Sequence, residues 1–300
     1  MSRVPNFIVI GAARSGTTAL YQYLRRHPDI FMSNIKEPNF FAFEDCPLDF
    51  AGPGAEFVNN SVASWGEYCA LFASAPPGAT IGEASPLYLW APQAPACIKR
   101  RLPQVKLIAI LRNPIEQAYS HYLYARAQMI EPLASFEAAL AAQPERQRNR
   151  WQPLFQYSEF PRYAEQLTRY FEHFGRDQVK IFLYEDFLAD PQNLLREICA
   201  FIEVDTAYNP DIAEHANMGG NPKSAFLQWL VMRPNPLSRM IGAILLLNVR
   251  QRIKDMISRM NIDRDEMPVA ARDHLRMVLR DDITLLQGLI GRDLSHWVAA

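Results

Sequence analysis

The chain has 300 residues, 49% of them hydrophobic and 21% charged, with 31 basic and 32 acidic side chains for a formal charge of −1. That composition suits a folded α/β globule and excludes a disordered or fibrous chain; the charge balance disfavours a nucleic-acid protein that relies on overall charge, although a local basic pocket stays open. Cys46, Cys69, Cys97 and Cys199 form no CxxC pair and have no His partner at ligand spacing, which points away from structural zinc and toward a reducing, cytoplasmic setting.

In chain order, FIVIG (7–11) predicts a first strand rather than the core of a signal peptide, because Arg3 is the one basic residue before it. TIGEA (80–84), VKLIAIL (105–111) and VKIFLY (179–184) are further short runs, continuous in apolarity rather than alternating, as strands covered on both faces read. Helical spacing falls between them: one segment directly after the first strand, then about 65–72, 92–101, 114–128, 161–174 and 193–202. Strand followed by helix, repeated, argues for βαβ units. Pro and Gly mark 46–54 and 76–78 as loops. From about 222 to 300 the pattern reads as helical throughout, ending in an amphipathic segment over 269–288. The apolar run Met240–Leu247 is far shorter than the roughly 20 residues that span a bilayer and reads as a buried helix, so no transmembrane segment is expected. The expected architecture is one α/β domain over 1–300, a P-loop-like three-layer fold with a central parallel sheet flanked by helices and a helical C-terminal third.

The first strand runs into Gly11-Ala12-Ala13-Arg14-Ser15-Gly16-Thr17-Thr18 and then a helix. Gly11 and Gly16 have Walker A spacing, but Thr17 stands where that motif places its Lys. Two glycines and a helix start still offer backbone N–H groups to an anion, with Arg14 adding a cation and Ser15, Thr17 and Thr18 adding hydroxyls. A nucleoside triphosphate also demands a magnesium ion held by an acid after an apolar strand. Here VKLIAIL ends in Arg112, a cation, so a metal-free site for a less highly charged phosphate-type group fits better. Arg112-Asn113-Pro114 begins a helix, and Ser120, two turns after Asn113, faces the same side about 10 Å along the axis. Arg112 and Ser120 can therefore grip one anion beside that helix start.

These motifs, IGAARSGTTALYQYL and LRNPIEQAYSHY, resemble the 5′-phosphosulfate loop and 3′-phosphate motif of the sulfotransferases, above all the heparan sulfate sulfotransferases and their bacterial relatives. HPDIFMSNIKEPNFF, GEASPLYL, YEDFLADP and LIGRDLSHW extend the resemblance over most of the chain. It implies 3′-phosphoadenosine 5′-phosphosulfate (PAPS) as donor, no metal, and transfer to a hydroxyl on a small molecule, glycan or lipid. Arg14, Ser15, Gly16, Thr17 and Thr18 would hold the 5′-phosphosulfate, Arg112 and Ser120 the 3′-phosphate, and Glu37 in KEPNFF would be the catalytic base with Lys36 beside it. The chain departs from the pattern at Arg14, where some members have Lys, and at Ala84, where they carry a catalytic-site Lys; Lys36 or His121 is the substitute. Lys223, in a late loop that loosely resembles the one closing over the nucleotide, is a further contact.

From the residues alone, Glu37 is as readily one half of an ion pair with Lys36 as a base. Glu83 reads as structural, His27 as a helix end, and Phe40, Phe41 and Phe43 as core. Arg146, Arg148 and Arg150 read as a solvated face. The rival functions are a P-loop kinase for a small metabolite and a non-catalytic nucleotide-binding protein.

Overall fold

The computed structural model describes residues 3–208, 221–222, 262–263 and 266–299. Its centre is a parallel sheet of β1 (Phe7–Gly11), β2 (Ile30–Met32), β3 (Thr80–Ala84), β4 (Lys106–Leu111) and β5 (Val179–Leu183), ordered β2-β3-β1-β4-β5. The register runs Phe7 to Gly82 on one side of β1 and Phe7 to Lys106 on the other. The helices are α1 (Thr17–Arg25), α2 (Phe40–Phe43), α3 (Glu56–Asn59), α4 (Trp65–Ala70), α5 (Leu87–Trp90), α6 (Ala94–Arg101), α7 (Pro114–Ala127), α8 (Phe136–Ala141), α9 (Gln143–Arg148), α10 (Tyr163–His173), α11 (Tyr184–Ala189), α12 (Pro191–Phe201) and α13 (Val269–Ile290).

Alternate residues of the strands serve opposite layers, which is why the runs are apolar without a break. Ile8, Ile10, Leu107, Ala109 and Leu111 join the larger core under α2, α4 to α8, α10 and α13. Phe7, Val9, Ile108, Ile110 and Phe182 join a smaller one under α1, α11 and α12. Every residue of β1 is buried, and complete burial of such an apolar side chain is worth roughly 1.5–3 kcal/mol.

The connections explain where a ligand can sit. The chain leaves β1 toward β2 at one edge of the sheet and leaves β4 toward β5 at the other. The two loops diverge, and the crevice between the C-terminal tips of β1 and β4 is the topological switch point at which open α/β sheets bind ligands.

Some expectations need correcting. Residues 221–222 and 262–263 form a two-residue antiparallel pair, so the region after Asn221 is not helical throughout; Pro222 biases the residue before it toward an extended backbone. Arg146 is buried and forms a two-pronged ion pair with Glu131, both bonds 2.7 Å, to which Tyr157 Oη also donates at 2.7 Å. The three arginines are therefore not one solvated face. β2 carries no signal in the sequence because three residues are too few to show a period. Met240–Leu247 and Lys223 lie outside the described residues. Among the described residues, no helix is long and apolar enough to cross a membrane, and no group of His, Cys, Asp or Glu is arranged to hold a metal ion.

Candidate functional site

The loop after β1 is shaped by its glycines. A Cβ on Gly11 would stand 2.7 Å from Leu89 Cβ. Gly16 has φ 88°, and a Cβ there would stand 2.8 Å from the Phe187 ring. Gly16 is also the residue that begins α1, and that start carries no side-chain cap and no acid in its first turn. The first amides of the helix have no carbonyl partner within it, and the dipole places partial positive charge there. An anion is the natural partner. Thr17 and Thr18 occupy the first two helical positions, with Thr18 the more exposed. Ser15 turns inward: its hydroxyl is fully buried and adjoins the Tyr163 hydroxyl without a hydrogen bond of good geometry, while its N–H donates to Ala12 O at 3.3 Å. Tyr163 opens α10, whose first amides, Ala164 and Glu165, donate to Asp282 of α13 at 3.1 and 3.3 Å. The loop thus rests on a helix whose own start is satisfied.

Arg14 has φ 64°, and its Nε lies 3.4 Å from Ser120 Oγ, so α7 does present Ser120 toward the loop. The Arg14 guanidinium lies over the Tyr124 ring at 4.7 Å, and that of Arg112 over the Tyr184 ring at 5.3 Å. Arg112 also donates to Arg14 O at 3.4 Å, and Gln117 Nε2 to Ala13 O at 3.1 Å, tying the loop to α7. Stacking on a ring face holds a guanidinium while leaving its N–H groups available. Among the described residues neither Arg14 nor Arg112 forms a salt bridge with a carboxylate. Burial, and then the nearby Arg112, lower the pKa of Arg14. Two adjacent cations in that state favour an anionic ligand between them.

The tip of β3 lies on the other side of β1. There Glu37 N–H donates to Ala84 O at 3.0 Å, placing Lys36 and Glu37 beside the loop that follows β1. Lys36 Nζ donates to Glu37 Oε1, and both side chains reach solvent. Glu37 is near enough for its charge to act on Arg14 and on Tyr124, whose hydroxyl is raised by burial first and then by Glu37. Glu37 (φ 63°) and Asn39 (φ 55°) join Arg14 and Gly16 in the left-handed region. Such backbone costs on the order of 1–3 kcal/mol for an ordinary residue and clusters at functional sites.

His121 faces inward from α7, 1% exposed, in edge contact with Phe160 and Tyr157, and Nδ1 has no hydrogen-bond partner. Burial, and then Arg14, push its pKa down to about 3. It is a neutral imidazole in the wall of the site. His27 does follow a helix end, its Nδ1 accepting from Asp29 N at 3.1 Å, so Nε2 carries the proton and donates to Asp205 O at 2.9 Å.

Tyr124 and Tyr184 are the contributors that sequence reasoning did not single out. Tyr124 stands four residues after Ser120, one turn along the same helix face, so the spacing already carried that signal. Tyr184 reaches Arg112 only through the pairing of β5 with β4. A separate cavity of about 770 Å³, lined among others by Trp90, Gln143, Arg162, Gln166, Arg169 and His274, includes none of the candidate residues.

Residues 59–208 match the model of the sulfotransferase family. The chain is similar to a sulfotransferase from Alicyclobacillus acidocaldarius whose structure is solved, with 32% identity and a TM-score of 0.79, covering 99% of this chain and 100% of that one. It is 30% identical over 214 residues to human bifunctional heparan sulfate N-deacetylase/N-sulfotransferase 3, covering 69% of this chain and 23% of that protein. A mouse sulfotransferase, SULT7A1, solved in complex with PAP, shares the fold with a TM-score of 0.52 at 14% identity, covering 97% of this chain and 90% of that one. The uncapped helix start after β1, the arginine at the tip of β4 and these matches have one explanation: the chain belongs to the sulfotransferase family.

Proposed function

We propose that this chain transfers a sulfuryl group from PAPS to an acceptor hydroxyl by in-line displacement. The observation that carries this reading is the meeting of an uncapped α1 start with Arg14 and Arg112, two cations without a carboxylate partner among the described residues. Arg14, Gly16, Thr17 and Thr18 hold the 5′-phosphosulfate, and Ser15, whose N–H is spent on Ala12 O, shapes the loop beneath them. Arg112 and Ser120 hold the 3′-phosphate. PAPS would supply the sulfuryl group, which passes to the acceptor oxygen as its bond to the bridging oxygen breaks and adenosine 3′,5′-bisphosphate departs as the leaving group.

The chain's own groups have distinct tasks. In-line transfer spreads charge over the equatorial oxygens and onto the departing oxygen. Amides and guanidiniums fixed in advance stabilise that charge without reorganising. Glu37 accepts the acceptor's proton, a contribution worth about 10²–10⁴ in rate. Lys36 lies against Glu37 and supplies positive charge on the side where Ala84 offers none. His121, neutral and buried, shapes the wall and carries no charge to the reaction. Because the human relative acts on heparan sulfate, a glycan is the first acceptor class to test, before small phenols and lipids.

The reading is tested by calorimetric titration with adenosine 3′,5′-bisphosphate in EDTA, followed by transfer of radiolabelled sulfate from PAPS to fractionated acceptors. Binding without added metal and label on a hydroxyl are expected. Metal-dependent ATP turnover would replace this reading with the kinase, and bisphosphate binding with no transfer to any acceptor would leave a nucleotide-binding protein.

A further inference from the structure

The tip of β3 carries a buried polar chain that the donor site does not use. Glu83, Ser85, Tyr68 and Tyr88 are all fully buried, and among the described residues no cation pairs with Glu83. Tyr68 Oη donates to Glu83 Oε1 at 3.1 Å, and Ser85 Oγ donates to Glu83 Oε2 at 2.8 Å. A serine hydroxyl has one proton. Once it is given to the carboxyl, the oxygen has only lone pairs to offer its other neighbours. The neighbour is the backbone N–H of Asn39, which donates to Ser85 Oγ at 3.2 Å. Two residues earlier, Glu37 N–H donates to Ala84 O.

These two anchors fasten the ends of the 37–39 turn to Ala84, at the tip of β3, and to Ser85 just beyond it, and the left-handed backbone of Glu37, unlike that of Asn39, persists only where the surroundings impose it. Glu83 sets the direction of the Ser85 hydroxyl, and Ser85 in turn sets the turn. A buried carboxyl without a cation is costly unless its hydrogen bonds are made, and here they lead to the residue read as the base.

We propose that Glu83 and Ser85 are positioning residues that hold the Glu37–Asn39 turn and so aim the Glu37 carboxylate at the acceptor hydroxyl. The proposal rests on the reading of Glu37 as base, and its test separates the two. Wild type, Ser85→Ala, Glu37→Gln and the double variant, all as the full chain, are compared for affinity toward adenosine 3′,5′-bisphosphate and for transfer of radiolabelled sulfate from PAPS to water and to desulfated heparan sulfate. Ser85→Ala is expected to lower transfer about ten-fold with bisphosphate affinity within about two-fold, because base geometry must hold to about half an ångström. In the Glu37→Gln background it is expected to lower transfer no further. An equal loss in both backgrounds makes Ser85 merely structural and overturns the proposal. Unchanged transfer in Glu37→Gln alone overturns the base reading instead. Crystal structures of wild type and Ser85→Ala with the bisphosphate need no acceptor: displacement of Glu37 and Asn39 over an unmoved phosphate loop is expected, and an unmoved turn overturns the proposal. Should Ser85→Ala not fold, Glu83→Gln, which keeps the side chain's shape, is carried through the same cycle.

Discussion

The two helix starts that face each other across the switch point solve the same problem in opposite ways. α1 begins at Gly16 with no side-chain cap and no acid in its first turn. α7 begins at Asn113, whose Oδ1 accepts from Ile115 N at 3.0 Å, followed by Pro114 and by Glu116, which pairs with Arg272 at 3.0 Å. The start of α7 is already satisfied and has little left for a ligand, so in the proposed function its anion is held by side chains, Arg112 and Ser120. The start of α1 keeps its amides in reserve. On that proposal one site depends on backbone shape and the other on charge, and substitutions should separate them.

The largest effect is expected at the uncapped start. Thr18→Asp places a carboxylate where the amides and dipole of α1 favour one, stabilising the ligand-free chain by about 0.3–1 kcal/mol. The same carboxylate displaces the donor's anion, and with several charge-assisted bonds at about 1.5–3 kcal/mol each, bisphosphate affinity should fall more than about 100-fold. Thermal denaturation and calorimetry read the two signs separately; retained affinity would remove α1 from the donor site. Next comes Arg112→Ala, expected to weaken the bisphosphate about 10- to 100-fold, the worth of one charged hydrogen-bonding group. AMP, which lacks the 3′-phosphate, should bind within about three-fold of its wild-type affinity, since it loses no contact of that strength. Equal losses for both nucleotides would merge the two sites into one. Asn113→Ala removes the cap of α7 at about 1 kcal/mol, seen as a melting point lower by about 2–4 °C. Bisphosphate affinity should change little, because Asn113 satisfies the helix rather than the ligand.

How far this arrangement was legible in the sequence depended on whether a residue acts through its neighbours in the chain or through folding. FIVIG and TIGEA read as β1 and β3 residue for residue because a strand buried on both faces has an unbroken apolar run. The glycine-bounded loop and the Asn-Pro helix start were legible for a similar reason, since turn and cap chemistry is local. Tyr184 was not, because it meets Arg112 only after β5 pairs with β4. The pairing of Arg146 is not legible, because its partner Glu131 lies fifteen residues away and a charge run looks alike whether solvated or paired. Glu83 reads as a structural acid in sequence. Only the turn from Glu37 to Asn39, brought over β3, shows what its hydrogen bonds hold.

The smallest effect tests whether the charge-made site has one cation on α7's side or two. His121 follows Ser120, and a protonated imidazole there would add to Arg112. Burial, and then Arg14, depress its pKa to about 3 from an ordinary 6.5. Below 6.5 the unfolded chain takes up a proton that the folded chain refuses, so the residue's contribution to stability is complete above 6.5 and is lost progressively as the pH falls toward 3. His121→Phe removes this acid-side loss, and its unfolding free energy should gain on wild type by on the order of 1 kcal/mol for each pH unit below 6.5. Glu83 titrates the other way: raised by burial from 4.5 to about 7, it costs stability as the pH climbs through that interval, so the two groups partly offset each other between 4.5 and 6.5. Bisphosphate binding isolates His121, because the ligand's own phosphate titration is common to both proteins. The ratio of wild-type to His121→Phe affinity should stay flat between about pH 6 and 8. If wild type gained affinity over the variant as the pH fell, the imidazole would be charging beside Ser120, and the proposed second anion site would draw on His121 as well as on Arg112 rather than on Arg112 alone.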